Sequence, residues 1–190
     1  MSLSHEEQSC IIGMPPVIGI DPGKSGACVA LYRDGSFCAA LDMPVAGTGS
    51  KARVQAWGIR QWINRVYPKP PSYAPLSDLA VVIEKVHAMP QQGVTSTFSF
   101  GHATGCVYGL ASALGCRIVE VPPREWQKTT LANKPRGSRK ELKASAVQAA
   151  YERWPELREH LTMRGGKIRS ESGFADAALM ALHHIEKENR

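Results

Sequence analysis

The sequence predicts an α/β domain built on a mixed five-stranded sheet, three antiparallel strands followed by two parallel ones, with helices on both faces. Two observations lead there. Short β-rich runs separated by tight-turn signals open the chain, and apolar runs then alternate with stretches of helical period. The 190 residues suit one domain with a substantial core. Residues 15–190 are assigned to it, and residues 1–14 to a disordered N-terminal extension.

The elements follow in order. "PVIGI" and "ACVALY" flank a turn at 21–26, and "SFCAALDM" follows the turn signal Arg33-Asp34-Gly35, so three strands form a meander. "SKARVQAWGIRQWINRV" sets Val54, Trp57, Ile59, Ile63 and Val66 at helical spacing, a helix that crosses back over the sheet. After a proline-rich loop, "DLAVVIE" is a continuous apolar run ending in a carboxylate, as a buried parallel strand requires. A helix is expected over residues 95–114, closed by Gly115. It carries Gly101, Gly105 and Gly109, and each glycine costs a helix interior about 1 kcal/mol. Close approach of another backbone would justify them, either the sheet or a partner subunit; Phe98 and Phe100 are expected to pack in the core. "CRIVEV" is the fifth strand, and "SRKE" is a capping box that opens a helix reaching Trp154. The last helix spans residues 173–187.

Composition excludes several classes. No apolar run is long enough for a membrane span, and "MSLSHEEQSC" has neither the basic start nor the apolar core of a signal peptide. A cytoplasmic location follows, in a bacterium or a phage-infected cell. Five cysteines without a C-x-x-C pair indicate neither a disulfide framework nor a zinc site; they read as small buried residues. Net charge is +6, and its cations concentrate between 124 and 143. Arg124, Lys128, Lys134, Arg136, Arg139, Lys140 and Lys143 stand there against Glu125 and Glu141 alone, a candidate contact for a polyanion.

The stretch "VIGIDPGKSGACVAL" resembles a phosphate-binding loop, but the spacing rules one out. Counting back from Gly23-Lys24-Ser25, the first glycine of such a loop would fall at Ile18, and the loop would hold Asp21 against the phosphates. No nucleotide cofactor is expected. Asp21 instead ends the first strand and Glu84 the fourth, so neighbouring strands would bring both carboxylates to one sheet edge. Asp176 lies in the first turn of the last helix. Two carboxylates about 4 Å apart repel by roughly 4 kcal/mol at an effective dielectric of 20, so a cluster of three calls for a cation. All-oxygen ligands suit Mg²⁺ or Mn²⁺, and two such ions suit phosphodiester cleavage.

"IGIDPGKSGACVAL", "VVIEKVHAMPQQGVTSTFSFGHATGCVYGLASALGCRIVEVPPREWQK" and "FADAALMAL", in that order, resemble the RuvC-like Holliday junction resolvases, in particular their phage and viral branch. The resemblance runs from Val17 to Ile185. It implies a ribonuclease H-like fold, a homodimer, and metal-dependent nicking of four-way DNA junctions with two Mg²⁺ or Mn²⁺ ions per site. It also implies roles: Asp21, Glu84 and Asp176 as catalytic metal ligands, and Lys128 as a catalytic cation that contacts DNA, with Lys140 or Lys143 on the following helix beside it. From the basic segment itself, Arg136 is expected to neutralise a phosphate along with Lys128, Lys140 and Lys143.

The chain departs from that pattern twice. The family's second acid in the last helix would fall at Gly173 or Ser172, and Glu171 is the substitute, with Ser172 or a water as alternatives. Where the family carries an aromatic wedge after the fourth strand, this chain has His87, which would stack on a base, contact a phosphate or cap the strand. A broader debranching nuclease acting on Y-forks and flaps, and a catalytically weakened junction-binding protein, are the alternative functions.

Overall fold

A computed structural model describes residues 15–67, 75–85, 93–131 and 137–190. Residues 1–14, assigned above to an extension, lie outside them.

Strands β1 (Val17–Asp21), β2 (Ala27–Leu31) and β3 (Phe37–Asp42) form the expected meander. The β1–β2 turn is closed by the Gly26 N–H donating to Gly23 O at 2.8 Å, and Asp21 Oδ1 accepts from the Gly23 N–H at 3.3 Å. A small ribbon follows, β4 (Val45–Ala46) paired with β5 (Arg53–Val54), and then helix α1 (Ala56–Val66). Strand β6 (Ala80–Glu84) lies parallel to β1, helix α2 (Val94–Ala113) crosses over, and β7 (Arg117–Val121) lies parallel to β6. The sheet order is β3-β2-β1-β6-β7. Three antiparallel strands continued by two parallel ones on the far side of the first is the ribonuclease H-like arrangement. The remaining helices are α3 (Pro123–Thr130), α4 (Arg139–Arg153), the single turn α5 (Arg158–Leu161) and α6 (Gly173–Glu188).

Side chains alternate across β1, so the sheet feeds two cores. Val17 joins Trp126, Val147, Leu157 and Leu179 from α3, α4, the turn after it and α6; Ile18 and Ile20 join Ile59, Trp62, Ala103 and Val107 from α1 and α2. Helix α6 is buried from Phe174 to Ile185. It can lie this close because Gly19 has no side chain: a Cβ there would stand 1.9 Å from Ala177 O.

Several expectations need correction. The crossover helix starts at Ala56, because Arg53 and Val54 pair with β4; Trp57 is left 69% exposed and Trp62 enters the core instead. In α2 the sheet side is Ala103, Val107 and Ala111, and a Cβ on Gly101, Gly105 or Gly109 would meet nothing within 4 Å. The glycines therefore do not serve packing against the sheet, and Phe98, 68% exposed, is not a core residue. The start of the basic segment, for which no helix was expected before the capping box, is helix α3, with Pro123 at its first position where a missing N–H costs nothing. The capping box is present, Ser138 Oγ accepting from the Glu141 N–H and Glu141 Oε2 from the Ser138 N–H. Cys28, Cys38, Cys106 and Cys116 are free and wholly or partly buried; Cys10 lies outside the described residues. Among the described residues no helix is long and apolar enough to cross a membrane.

Candidate active site

Parallel pairing of β1 and β6 runs in register to Ile20 opposite Ile83, so the next residue of each strand, Asp21 and Glu84, reaches the same sheet edge. Asp176 arrives from the other side, in the first turn of α6, which packs on β1 and β2. A fourth group joins them. The Lys143 ammonium, from the second turn of α4, hydrogen-bonds and ion-pairs with Asp176 Oδ2. Asp176 is 4% exposed, and its other oxygen, Oδ1, is buried without a hydrogen-bond partner.

The four groups share one field. Burial pushes the Glu84 carboxyl above its ordinary range and the charges of Asp176 and Asp21 add to the rise; Lys143, and the Trp126 indole N–H donating to Glu84 Oε1 at 3.4 Å, oppose it. Burial likewise raises Asp176, against the pull of Lys143 and with help from Asp21 and Glu171. For Lys143 burial works downward, but Asp176, Asp21 and Glu84 outweigh it and the ammonium is stabilised. Burial, and then the Asp21 charge, also raise the Cys28 thiol, which keeps it protonated and unreactive.

A cleft of about 580 Å³ opens beside the cluster, lined by Asp21, Lys143, Glu171 and Ser172 among others. Glu171 is exposed just ahead of α6, at the cleft wall. Ser172 is the N-cap of α6, yet its side chain makes no capping bond. Gly173 leaves no room for the acid that the resemblance leads one to expect. A Cβ there would lie 2.6 Å from Gly26 Cα and 2.8 Å from Gly26 C.

Of the cations expected to contact DNA, Lys143 is drawn into the carboxylate cluster, whereas Lys128 and Lys140 are exposed on α3 and α4. His87 and Arg136 lie outside the described residues. His183 and His184 are buried in α6; His183 Nδ1 is 2.6 Å from Thr129 Oγ1, a structural contact. The union of Lys143 with Asp176 was missed in the sequence, although Lys143 recurs one turn after the capping box on the face that leads to Ala146 and Val147 of the core.

The site tests well for a hard cation in its chemistry: its donors are carboxylate oxygens, and one of them, Asp176 Oδ1, is buried and unpartnered. As the side chains stand, no group of three or more His, Cys, Asp or Glu among the described residues is arranged to hold a metal ion. Lys143 supplies the compensating charge in this arrangement.

No family model matches the chain, and neither does any curated protein. Among solved structures it is similar to Thermus thermophilus RuvC, with 18% identity over 92% of this chain and 95% of that one at a TM-score of 0.49. It is also similar to T. thermophilus RuvC in complex with a Holliday junction substrate, with 19% identity, the same coverage and a TM-score of 0.47. The assignment of the fold rests on strand order and polarity in the chain itself.

Proposed function

We propose that the chain is a divalent-metal-dependent endonuclease that resolves four-way DNA junctions by paired symmetric nicks. The observation that carries this reading is the convergence of Asp21, Glu84 and Asp176 at one edge of a ribonuclease H-like sheet, with an oxygen of Asp176 buried and unpartnered. The ordered motifs of the sequence and the exposed cations Lys128 and Lys140 support it. Asp21, Glu84 and Asp176 are the proposed ligands of Mg²⁺ or Mn²⁺, with Glu171 reaching in from the cleft wall. Bound ions, two in the full site, supply an activated water and stabilise the leaving oxygen. Lys143 holds Asp176 in place, and Lys128 and Lys140 hold phosphates, which positions the strand without reading its sequence.

Paired nicks need two sites, and α2 supports a dimer. Val94, Phe98, Gly101, Gly105, Tyr108 and Ser112 recur at alternating intervals of four and three on its exposed side, the seam of a helix pair. The proposed occupant is α2 of a second copy, brought close by the glycines. Gly105→Leu, at an exposed position where an added Cβ meets nothing within 4 Å, should leave the fold intact and convert a dimer of the 20.7 kDa chain to monomers in sedimentation. A wild-type chain that sediments as a monomer at micromolar concentration refutes the dimer.

The function is tested by offering a four-way junction, a Y-fork and a linear duplex with Mg²⁺. Paired nicks confined to the junction are expected. Equal cutting of the Y-fork would favour the broader debranching nuclease. The weakened junction-binding protein is the reading favoured by the closed position at Gly173, and binding without cutting would establish it.

A further inference from the structure

Between α5 and α6 lies an element that no part of the proposed function uses. Residues 162–168 form a β-hairpin: Thr162 pairs with Ile168, the Met163 N–H donates to Lys167 O at 2.8 Å, and the Arg169 N–H donates to Leu161 O at 2.9 Å. Its base is fixed. Leu161 is fully buried, Ile168 packs against the same core, and His160 stacks on Phe174 at 4.4 Å. Its tip is Arg164-Gly165-Gly166-Lys167, with both glycines at positive φ, +93° and +82°, where other residues are strained. A firmly held base thus presents two exposed cations, and Arg169 follows on the returning strand.

None of Arg164, Lys167 and Arg169 has a side-chain hydrogen bond or ion pair among the described residues. Arg169 lines the cleft that holds Asp21 and Lys143. That cleft needs cations at its margin. Its acids are Asp21, Asp42, Glu159 and Glu171, against Lys24, Lys143 and Arg169, and Lys143 is committed to Asp176. Until metal binds, a nucleic-acid backbone entering it meets net repulsion unless its flanking phosphates are held by charges just outside.

We infer that the 162–168 hairpin, through Arg164, Lys167 and Arg169, is a second DNA-backbone clamp, separate from the exposed cations of α3 and α4. The inference rests on the nuclease reading, and its test separates the two. Each neutralised phosphate contributes about 0.9 to the slope of log K against log salt. Binding of the full-length protein to a four-way junction and to a linear duplex is measured in Ca²⁺ across a salt series, for wild type and for Arg164→Ala/Lys167→Ala. The double variant, whose altered residues are exposed, should keep the wild-type melting temperature. It should lose roughly tenfold to a hundredfold in affinity near 0.1 M salt and about 1.8 in slope. An unchanged slope on both DNAs overturns the clamp and leaves the nuclease reading standing. A reduced slope in the double variant, together with a wild type that never nicks branched DNA, supports the clamp and sinks the nuclease. A wild type that binds neither DNA overturns both.

Discussion

Replacement of Asp21 by Asn should abolish Mg²⁺-dependent nicking of a four-way junction, by about a thousandfold or more, while junction binding persists. The magnitude follows from the several kcal/mol that metal ions contribute to phosphodiester cleavage, since roughly 4 kcal/mol corresponds to three decades in rate. The change is close to isosteric. The Asn amide oxygen can still accept from the Gly23 N–H, as Asp21 Oδ1 does, so the β1–β2 turn should keep its form. Binding should survive because the proposed phosphate contacts lie on α3, α4 and the 162–168 hairpin. Gel mobility in Ca²⁺ and nicking in Mg²⁺ read the two properties separately. Asp21→Asn protein that nicks at the wild-type rate would remove Asp21 from the catalytic set.

Lys143→Met should destabilise the metal-free protein at neutral pH by about 2–3 kcal/mol, somewhat below the cost of breaking a fully buried pair, because the lysine side chain is 30% exposed. The direction with pH can be worked out. Asp176 already has a folded pKa raised above 3.8 by burial, although Lys143 pulls it down. Such a group favours the fold fully below its unfolded pKa, and that contribution is lost as pH rises through the folded value. Removing Lys143 raises the folded pKa further. The variant and wild type should therefore be nearly equally stable near pH 4 and diverge as pH climbs to 7.5. Divalent cation should then recover part of the loss, since a ligand at a hundred times its Kd adds about 2.7 kcal/mol. Urea titrations at the two pH values, with and without Mg²⁺, measure all of this. Equal stability at pH 7.5 would mean that Lys143 does not compensate the cluster.

The sheet was legible because its signals are local. Turn residues at 21–26 and 33–35, the uninterrupted apolar run into Glu84 and the period of the last helix each report on their own element, and together they place Asp21 and Glu84 at one edge. What was not legible depends on distant partners. Val54 fits a helical period, but pairing with Val45 draws it into a ribbon. Gly101, Gly105 and Gly109 declare a close approach without saying to what, and only the placement of Ala103, Val107 and Ala111 on the sheet shows which side is left open. The same holds in the site. Asp176 could be singled out from its neighbours in sequence, but the ammonium that meets it comes from a residue 33 positions earlier, on a different helix. The 162–168 hairpin escaped because its two-glycine tip sits between strands too short to show alternation.

The close fit of α6 to the sheet has a consequence for how faithfully the site is reproduced from molecule to molecule. Where Gly19 faces Ala177 and where Gly173 faces Gly26, the helix meets the sheet and its turn backbone to backbone, with no side chain between, and these two points bracket the turn that carries Asp21. Core residues further along α6 can change size, and the protein will lose stability as they do. The interval between the first and last carboxylates should hold, because it is set by a hard stop at two points and not by the sum of many soft contacts. The site is in this sense gauged by the main chain, and its tolerance to drift elsewhere in the domain is built into Gly19, Gly26 and Gly173.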